Sequence, residues 1–452
     1  MVIFHVILLA TLLGQPSVTD PATTTSPIPT TTVAVRPTAA LARVSLRFDV
    51  QPRSSSVVVR TADLASVTAG AQGSVIVPVG RADVSISAPG YQVRSETLSA
   101  GNSGLTLTRR LDPNGQLHRH RYDVKTGSNP KQVAFNPSGT ELWVPLLGSR
   151  GVDVFRAVDG AKITTIKIGD DHGAVEVIFN RDGTRAYVSQ METASVFEVD
   201  TAKYRVLRRM ATGGNWTKVL ALSPDEKTLY AANWVSNDVS VLDLATGSLV
   251  KRIPTVKTPR GLALDATGER LFIAGFDGGE IERLTLATGE RSILIRTGGA
   301  MRHMALDVRS NVLYADDMGT SGVYAVDLST EKVRQLTTVD SHPNTIGLSP
   351  DNRFLYVSNR GQNNVNGYNV PGPEWGSILV IDTATGKSVD AIIGGNQTTG
   401  LSVSPDGKML AFTDFLDNRL AVYNIPTADV LDAGKGGLAP THRALITKPN
   451  AK

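Results

Sequence analysis

The chain contains no cysteine in its 452 residues. Disulfides, thiolate metal sites, cysteine nucleophiles and lipidation at an N-terminal cysteine are therefore excluded. The excess of one charge sign is also small: 46 Lys and Arg residues against 42 Asp and Glu residues give a net charge of +4 at pH 7. Basic clusters such as Arg109-Arg110 are short. Solvated strand ends account for such clusters, and nothing resembles a recognition helix or a base-stacking platform. We predict no nucleic-acid partner.

Long hydrophobic runs are missing as well. The run Val2–Leu13 is too short to cross a bilayer, so no transmembrane helix is predicted. It has the length of a signal-peptide core, and we expect residues 1–17 to be a signal peptide. The alternatives are a retained anchor or a mis-set start codon. The Thr/Pro-rich residues 18–41 cannot bury a core and are expected to be a flexible stalk.

What the sequence does contain is a repeat. A turn of the Pro-Asp-Gly type recurs at intervals of 44, 43, 42, 42, 42 and 55 residues, centred on Pro137, Arg181, Pro224, Ala266, Val308, Pro350 and Pro405. Each unit contains four short apolar runs separated by turn residues. Such a period with four strands per unit is typical of a β-propeller. We predict an all-β fold with a seven-bladed propeller over residues 117–427.

The two ends of the repeat predict how the ring closes. The last unit is one strand short, and His118–Val124, just before the first unit, has the composition to supply the missing strand. Pairing of the beginning with the end would leave no exposed sheet edge in the ring. Residues 428–452 are then expected to form a C-terminal tail.

Four segments resemble a known repeat family. Asp243–Gly247, Asp382–Gly386, Ser404–Gly407 and Leu355–Asn359 are similar to the YVTN-type propeller repeats of YncE-like cell-envelope proteins. The resemblance covers roughly residues 117–427. It implies a periplasmic or secreted binding or scaffold protein more often than an enzyme.

Residues 42–112 are predicted to form a separate β-sandwich, because runs such as Val44–Val50 and Ala82–Ile86 alternate in polarity. Val79–Tyr91 resembles the second half of a PEGA domain, a small sandwich of bacterial envelope proteins. The first half departs from the pattern, since Gln51–Ser55 lacks the acidic-glycine turn. The resemblance makes a cell-envelope component one candidate partner of the module, and it leaves open whether the module binds peptidoglycan, another protein or nothing.

A cationic position stands out when the repeats are aligned on their turns. Near the start of the innermost strand the seven units carry Lys131, Val175, Lys218, Arg260, Arg302, Asn344 and Thr399. Four of these are cationic and none is acidic, so their repulsion around one channel mouth favours a bound anion. The alternative is that the long side chains are solvated or paired within the rim.

The interval of 55 residues predicts a lid over the same mouth. The extra length lies in Asn359–Gly376, a loop with two aromatic residues, Tyr368 and Trp375, and many amides. Such a composition suits carbohydrate or peptide recognition. The alternative is a packed loop in which Trp375 is buried.

These observations predict an exported binding platform in the cell envelope for an anionic small molecule, a glycan or a protein. The ligand-binding candidates are Lys131, Lys218, Arg260, Arg302, Asn344, Tyr368 and Trp375. No metal or cofactor is predicted, because common catalytic and metal motifs are absent. The alternative function is a propeller enzyme of the lactonase or lyase type. Its candidates are His303 and Glu176, acting as a His/Glu pair or in a metal-assisted site.

Overall fold

The computed structural model describes residues 42–62, 64–433 and 442–448. The signal peptide and the stalk predicted for residues 1–41 lie outside this range. From Arg43 onward the chain belongs to one compact unit that contains an N-terminal module and a ring of sheets.

The N-terminal module consists of two sheets that enclose one apolar cluster. β4, β1 and β7 form one sheet, and β3, β2, β5 and β6 form the other. The strands alternate between buried and exposed residues, as β1 does from Val44 to Val50, so each sheet contributes one face to the shared core. The strands are β1 Arg43–Gln51, β2 Ser56–Thr61, β3 Leu64–Gly70, β4 Ser74–Pro78, β5 Gly80–Ser87, β6 Arg94–Ala100 and β7 Leu105–Arg110.

Seven four-stranded antiparallel sheets follow within the described residues. We number them sheets 1 to 7 in chain order. Sheets 1 to 6 each use four consecutive strands, and sheet 7 uses β33 to β35 together with β8. The strands of sheets 1 to 3 are β9 Ala134–Phe135, β10 Glu141–Pro145, β11 Val152–Arg156 and β12 Lys162–Ile166; β13 Ala174–Phe179, β14 Arg185–Gln190, β15 Ser195–Asp200 and β16 Arg205–Ala211; β17 Thr217–Leu222, β18 Thr228–Asn233, β19 Asp238–Asp243 and β20 Leu249–Pro254.

The remaining sheets repeat the same order of short strands. The strands of sheets 4 to 6 are β21 Pro259–Leu264, β22 Arg270–Gly275, β23 Glu280–Thr285 and β24 Arg291–Arg296; β25 Met301–Asp307, β26 Val312–Asp317, β27 Gly322–Asp327 and β28 Lys332–Thr338; β29 Pro343–Leu348, β30 Phe354–Asn359, β31 Ser377–Asp382 and β32 Ser388–Ile393. Sheet 7 contains β33 Thr398–Val403, β34 Met409–Asp414, β35 Arg419–Asn424 and β8 Arg119–Lys125.

The sheets are arranged in a ring. The innermost strand of each sheet packs against that of the next, from β13 through β17, β21, β25 and β29 to β33, and β33 returns to β9. Apolar clusters fill the spaces between neighbouring sheets, for example around Trp143 and Phe197 between sheets 1 and 2. This all-β arrangement of four-stranded sheets is consistent with a β-propeller.

The recurring turn has a structural role at the outside of the core. Gly139, Gly183, Gly268 and Gly407 all adopt φ near +70°, which favours glycine. A Cβ on Gly268 would lie 2.9 Å from Pro224 of the preceding sheet. The same contact recurs at Gly183 with Pro137 and at Gly139 with Pro405. The turn therefore couples neighbouring sheets, including the last and the first.

Strand β8 closes the ring, as the sequence predicted. It pairs antiparallel with β35, with Lys125 opposite Arg419 and Arg119 opposite Asn424. A charged cluster fastens this pair, because Arg419 bridges Asp123 on β8, at 2.9 Å, and Asp414 on β34. The strand spans Arg119–Lys125 rather than His118–Val124.

The C-terminal residues differ from the tail expected for 428–452. Two short helices, α1 Ala428–Ala433 and α2 His442–Ile446, pack against strand β32. His442 is buried, and its Nε2 lies 2.7 Å from Asp340 Oδ2. Ile446 is also buried, and its carbonyl accepts the backbone N–H of Trp375. The polar composition of the segment concealed these few apolar anchors.

Candidate functional site

A narrow cavity opens where the innermost strands begin. Its lining includes five of the seven aligned positions, Lys131, Val175, Arg260, Arg302 and Asn344, together with Glu176 and His303. The volume open to the centre of a water molecule is ≈ 20 Å³. That space holds one or two waters or a small ionic group, not a whole drug-sized ligand.

A recurring β-bulge directs these side chains to the mouth. Val175, Lys218, Arg260, Arg302, Asn344 and Thr399 are each the second residue of an innermost strand. The register of the strand pairs shifts at this point in sheets 2 to 7. A bulge bends its strand and turns a side chain away from the regular alternation.

The residue two positions earlier adopts a left-handed conformation in several sheets. Trp216, Thr258 and His342 have φ of 60°, 48° and 58°. Their carbonyls accept the N–H groups of Trp234, Phe276 and Arg360, the residues that follow the second strand. This connection brings the residue after the second strand next to the cationic position.

Aromatic rings consequently cover the cations. Lys218 Nζ lies 3.4 Å from the centroid of Trp234 and 5.1 Å from that of Trp216. The guanidinium of Arg260 lies 5.6 Å from the Trp234 ring. Similar contacts join Lys131 with Phe415 at 4.9 Å and Arg302 with Phe276 at 6.0 Å. Ring faces attract cations, so these contacts stabilise positive charge at the mouth.

A fifth basic residue near the mouth, Arg360, was not among the predicted binding residues. It is 7% exposed, and its Nη2 donates to Gln397 Oε1. A second alignment of the repeats could have found it, because Arg360 is the one charged residue at the position after the second strand. The residues at that position are Leu147, Met191, Trp234, Phe276, Met318, Arg360 and Phe415.

The cations lack carboxylate partners in the described part of the chain. No ion pair within 4.0 Å joins Lys131, Lys218, Arg260, Arg302 or Arg360 to an acidic group there. Burial, reinforced by Arg260, lowers the pKa of Lys218 to about 6. Burial and the guanidinium of Arg302 hold the pKa of Lys131 well below its usual range. Basic groups without ion-pair partners are therefore concentrated here, although Lys218 is mostly neutral at pH 7 in the free protein.

Two carboxyl groups lie near the cations without forming ion pairs. Glu176 Oε2 accepts the N–H of Leu220 at 2.6 Å, and Asp316 Oδ1 accepts the N–H of His303 at 2.6 Å. Burial raises the pKa of each carboxyl group to about 7, although those hydrogen bonds oppose the shift. Both groups are thus half-protonated near neutral pH and compensate the five cations incompletely.

The two catalytic candidates, His303 and Glu176, line the same cavity. Burial lowers the pKa of His303 to about 4, with Arg260 adding to the effect, so the imidazole is neutral at pH 7. Its Nδ1 lies 3.5 Å from the backbone nitrogen of Ile346. Among the described residues there is no group of three or more acidic or histidine side chains placed to hold a metal ion.

Several buried polar atoms at the mouth have no hydrogen-bond partner in the described residues. These are Arg260 Nε, Arg360 Nε, Asp316 Oδ2 and Asn344 Oδ1. Buried polar groups are hydrogen-bonded in the great majority of cases, so a cluster of unpartnered ones indicates bound water or a ligand. Asn344 Nδ2, in contrast, is engaged with Thr345 and with the carbonyl of Thr399.

The two aromatic residues of the loop Asn359–Gly376 lie in different places. Tyr368 does not line the mouth cavity but lies beside Arg360: its ring is 5.9 Å from the guanidinium, and its carbonyl accepts Gln397 Nε2. Trp375 does not line the mouth cavity. It lines a different cavity with Tyr91 and Tyr423. The placement of Trp375 in a lid over the cations was wrong, because α2 and Lys448 hold this end of the loop against the outer edge of the ring.

Sequence comparisons agree with this architecture. The model of the YNCE-like β-propeller matches residues 185–397. Antigen Lp49 of Leptospira interrogans serogroup Icterohaemorrhagiae serovar copenhageni is 35% identical over 354 residues, which cover 75% of this chain and 77% of that protein. The chain belongs to the YNCE-like β-propeller family. YncE of Salmonella typhimurium, an uncharacterized protein, is 27% identical over 101 residues, or 22% of this chain and 28% of YncE.

A solved structure with low sequence identity shares the fold of this YNCE-like propeller. A chain of Kuenenia stuttgartiensis hydrazine synthase superimposes with a TM-score of 0.58, covering 68% of this chain and 97% of that chain at 18% identity. Such identity establishes a shared fold alone. In the described range, no helix has the length and apolar character needed to cross a bilayer.

Proposed function

We propose that this YNCE-like propeller is an exported binding protein of the cell envelope, periplasmic or secreted, whose channel mouth binds an anionic group. Lys131, Lys218, Arg260, Arg302 and Arg360 provide the positive charge. Asn344 and Tyr368 border the site. The observation that carries the proposal is the accumulation of five cations without ion-pair partners among the described residues, around buried guanidinium nitrogens that lack hydrogen bonds.

The energetics of buried charge support an anion. An isolated cation in a protein interior costs several kcal/mol, and this cost falls when a counter-charge is bound. Here two carboxyl groups with pKa values of about 7 face three buried arginines and two lysines, of which Lys218, with a pKa of about 6, is mostly neutral at pH 7. A carboxylate or phosphate group would supply the missing charge and accept a hydrogen bond from Arg260, whose Nε is unpartnered and which lines the cavity.

The size of the cavity limits what enters it. A volume of ≈ 20 Å³ open to water centres admits only the anionic end of a ligand. The rest of the molecule would lie above the ring, where Trp216 and Tyr368 are 40% and 54% exposed. Such a site suits an anionic small molecule, an acidic glycan or an acidic side chain of a protein partner.

Export is supported by the family and by the N-terminal sequence. The relative with 35% identity is named an antigen, which fits a surface location. The run Val2–Leu13 has the length of a signal-peptide core. We propose further that sheets 1 to 7 are the blades of a closed seven-bladed propeller, and that residues 42–112 form a PEGA-like sandwich that contacts an envelope component.

Isothermal titration calorimetry with acetate and with inorganic phosphate at constant ionic strength tests the site. Replacing Arg260 and Arg302 together by Gln should weaken binding at least tenfold and reduce its salt dependence, because two charges are lost. The matched control is Arg296→Gln with Arg309→Gln, which removes two exposed charges from the same two sheets.

The control variant should bind both anions as the natural protein does. Equal affinities in the natural protein and the Arg260/Arg302 variant would refute the anion site. So would the absence of binding by the natural protein to both anions, provided that circular dichroism shows a folded propeller.

A further inference from the structure

A second cavity lies between the N-terminal module and the outer edge of sheets 6 and 7. Its volume open to water centres is ≈ 440 Å³, within the range of small-molecule sites, which occur preferentially at domain junctions. We call it the junction cavity. The module and the ring both contribute to its lining, which includes Tyr91, Arg110, Trp375, Asn396, Arg419 and Tyr423.

The charges at the junction cavity are compensated, unlike those at the mouth. Arg419 Nη1 lies 2.9 Å and Arg110 Nε 3.8 Å from Asp123 Oδ2. Asp417 accepts the backbone N–H and the Nδ2 of Asn396, both at 2.7 Å. No excess of either sign therefore remains on the lining to attract an ion, and the cavity suits a neutral ligand.

Hydrogen-bonding groups nevertheless remain available on its wall. Arg110 Nε is buried without a hydrogen bond in the described residues. Tyr423, which is 2% exposed, is fixed by ring contacts with His120 at 5.3 Å and Phe412 at 5.5 Å. The Tyr423 hydroxyl has no hydrogen bond to another described residue.

Aromatic rings supply the complementary apolar surface. Tyr91, Trp375 and Tyr423 all line the cavity. Lys448 Nζ lies 4.4 Å from the Trp375 ring centroid and donates to Gly372 and Asn396, which keeps the indole in place. Rigid aromatic faces beside planar amide, guanidinium and phenol groups match a molecule with apolar C–H faces and a belt of hydroxyls.

We propose that the junction cavity binds a neutral saccharide. The aromatic side chains would pack against a sugar ring, and Arg110 and the Tyr423 hydroxyl would bond its hydroxyl groups. The site is distinct from the anion site at the mouth and does not depend on it. Because its two walls come from the N-terminal module and the ring, a bound saccharide would also fix these two parts relative to each other.

Isothermal titration calorimetry of the full chain with glucose, N-acetylglucosamine and glucuronic acid tests the proposal. Tyr423→Phe should weaken binding of a neutral sugar about fivefold, since it removes one hydrogen bond and preserves the ring. Tyr230→Phe is the matched control, because Tyr230 is also a buried tyrosine but lies in sheet 3, away from this cavity. Trp375→Leu, which removes the aromatic face, should weaken binding further.

The outcomes separate the two sites. Neutral-sugar binding that falls in Tyr423→Phe and survives in Tyr230→Phe and in the Arg260/Arg302 variant supports the proposal. Absence of binding for both neutral sugars up to about 10 mM overturns it, because a dissociation constant above that value would not indicate a specific binding site. Binding of glucuronic acid alone, lost in the Arg260/Arg302 variant, overturns it too and assigns the sugar to the mouth.

Discussion

Lys218 Nζ lies 3.4 Å from the centroid of the Trp234 ring, and the guanidinium of Arg260 approaches the same ring at 5.6 Å. Two cations thus share one aromatic side chain. The ring favours the charged form of Lys218, whereas burial and Arg260 lower its pKa to about 6. The protonation state of Lys218 therefore depends on these opposing effects, and a bound anion would raise its pKa and favour the charged form.

Anion binding should consequently depend on pH. In the free protein Lys218 loses its proton as the pH rises above about 6, while Glu176 and Asp316 ionise around pH 7. Both changes reduce the positive charge at the mouth. We expect phosphate affinity, corrected for the ionisation of phosphate itself, to fall at least tenfold between pH 6 and 8. Proton uptake on binding, measured in buffers of different ionisation enthalpy, checks this; a pH-independent affinity would contradict it.

Arg302 should contribute to anion binding while it lowers the stability of the fold. Arg302 is 4% exposed, and burial together with Arg260 lowers its pKa well below the usual range. Replacing a buried ion pair by apolar side chains of similar volume can stabilise a protein by about 1–4 kcal/mol, and an unpaired buried charge has no attraction to a partner to lose. We expect Arg302→Met to raise the midpoint of urea unfolding and to abolish stabilisation by phosphate. Arg296→Met, at an exposed position, is the control and should change neither; a destabilised Arg302→Met would refute the prediction.

Most of this fold could be predicted because the same sequence pattern recurs in every repeat unit. Turn residues and alternating strands determine local structure within each unit. The last unit has only three strand segments, which predicted that β8 supplies the fourth strand of sheet 7. The cationic position also followed, since Lys131, Arg260 and Arg302 hold equivalent places in their units. The position of Trp375 could not be predicted because a long-range contact decides it: the backbone N–H of Trp375 donates to the carbonyl of Ile446 in α2, which follows the last repeat unit. Arg360 was overlooked, although an alignment of the residues that follow the second strand would have found it.

Closure of the ring should depend on Asp123. Its side chain is 19% exposed and meets Arg419, and this arginine with His120 keeps the pKa of Asp123 below its usual range despite burial. A lowered pKa adds stability that is complete above the unfolded-state value of about 4 and disappears as the pH falls below it. Breaking such a pair costs about 3 kcal/mol.

Asp123→Asn should therefore unfold at lower urea concentration than the natural protein at pH 7, and the difference should shrink toward pH 3. Asp159→Asn is the matched control, because its pair with Arg156 is about half exposed on both sides. That control should behave as the natural protein does. An equal loss of stability in both variants would mean that the Asp123–Arg419 ion pair between β8 and β35 stabilises the protein no more than a surface ion pair does.

The turn glycines allow the contact between neighbouring sheets to be measured directly. Gly268 and Gly289 have almost the same φ, +74° and +76°, so an added Cβ causes the same backbone strain in both, about 1 kcal/mol. They differ in their surroundings. A Cβ on Gly268 would lie 2.9 Å from Pro224 Cδ, whereas nothing lies within 4 Å of one on Gly289.

Gly268→Ala should therefore be more destabilising than Gly289→Ala by about 1–2 kcal/mol, the usual cost of overpacking. Urea unfolding of both variants at pH 7 measures the difference. Because the proline cannot move without its sheet, the excess cost reports how tightly sheets 3 and 4 are joined at their outer turns. If both variants lose the same stability, the turn serves only to reverse the chain, and the apolar clusters alone hold neighbouring sheets together.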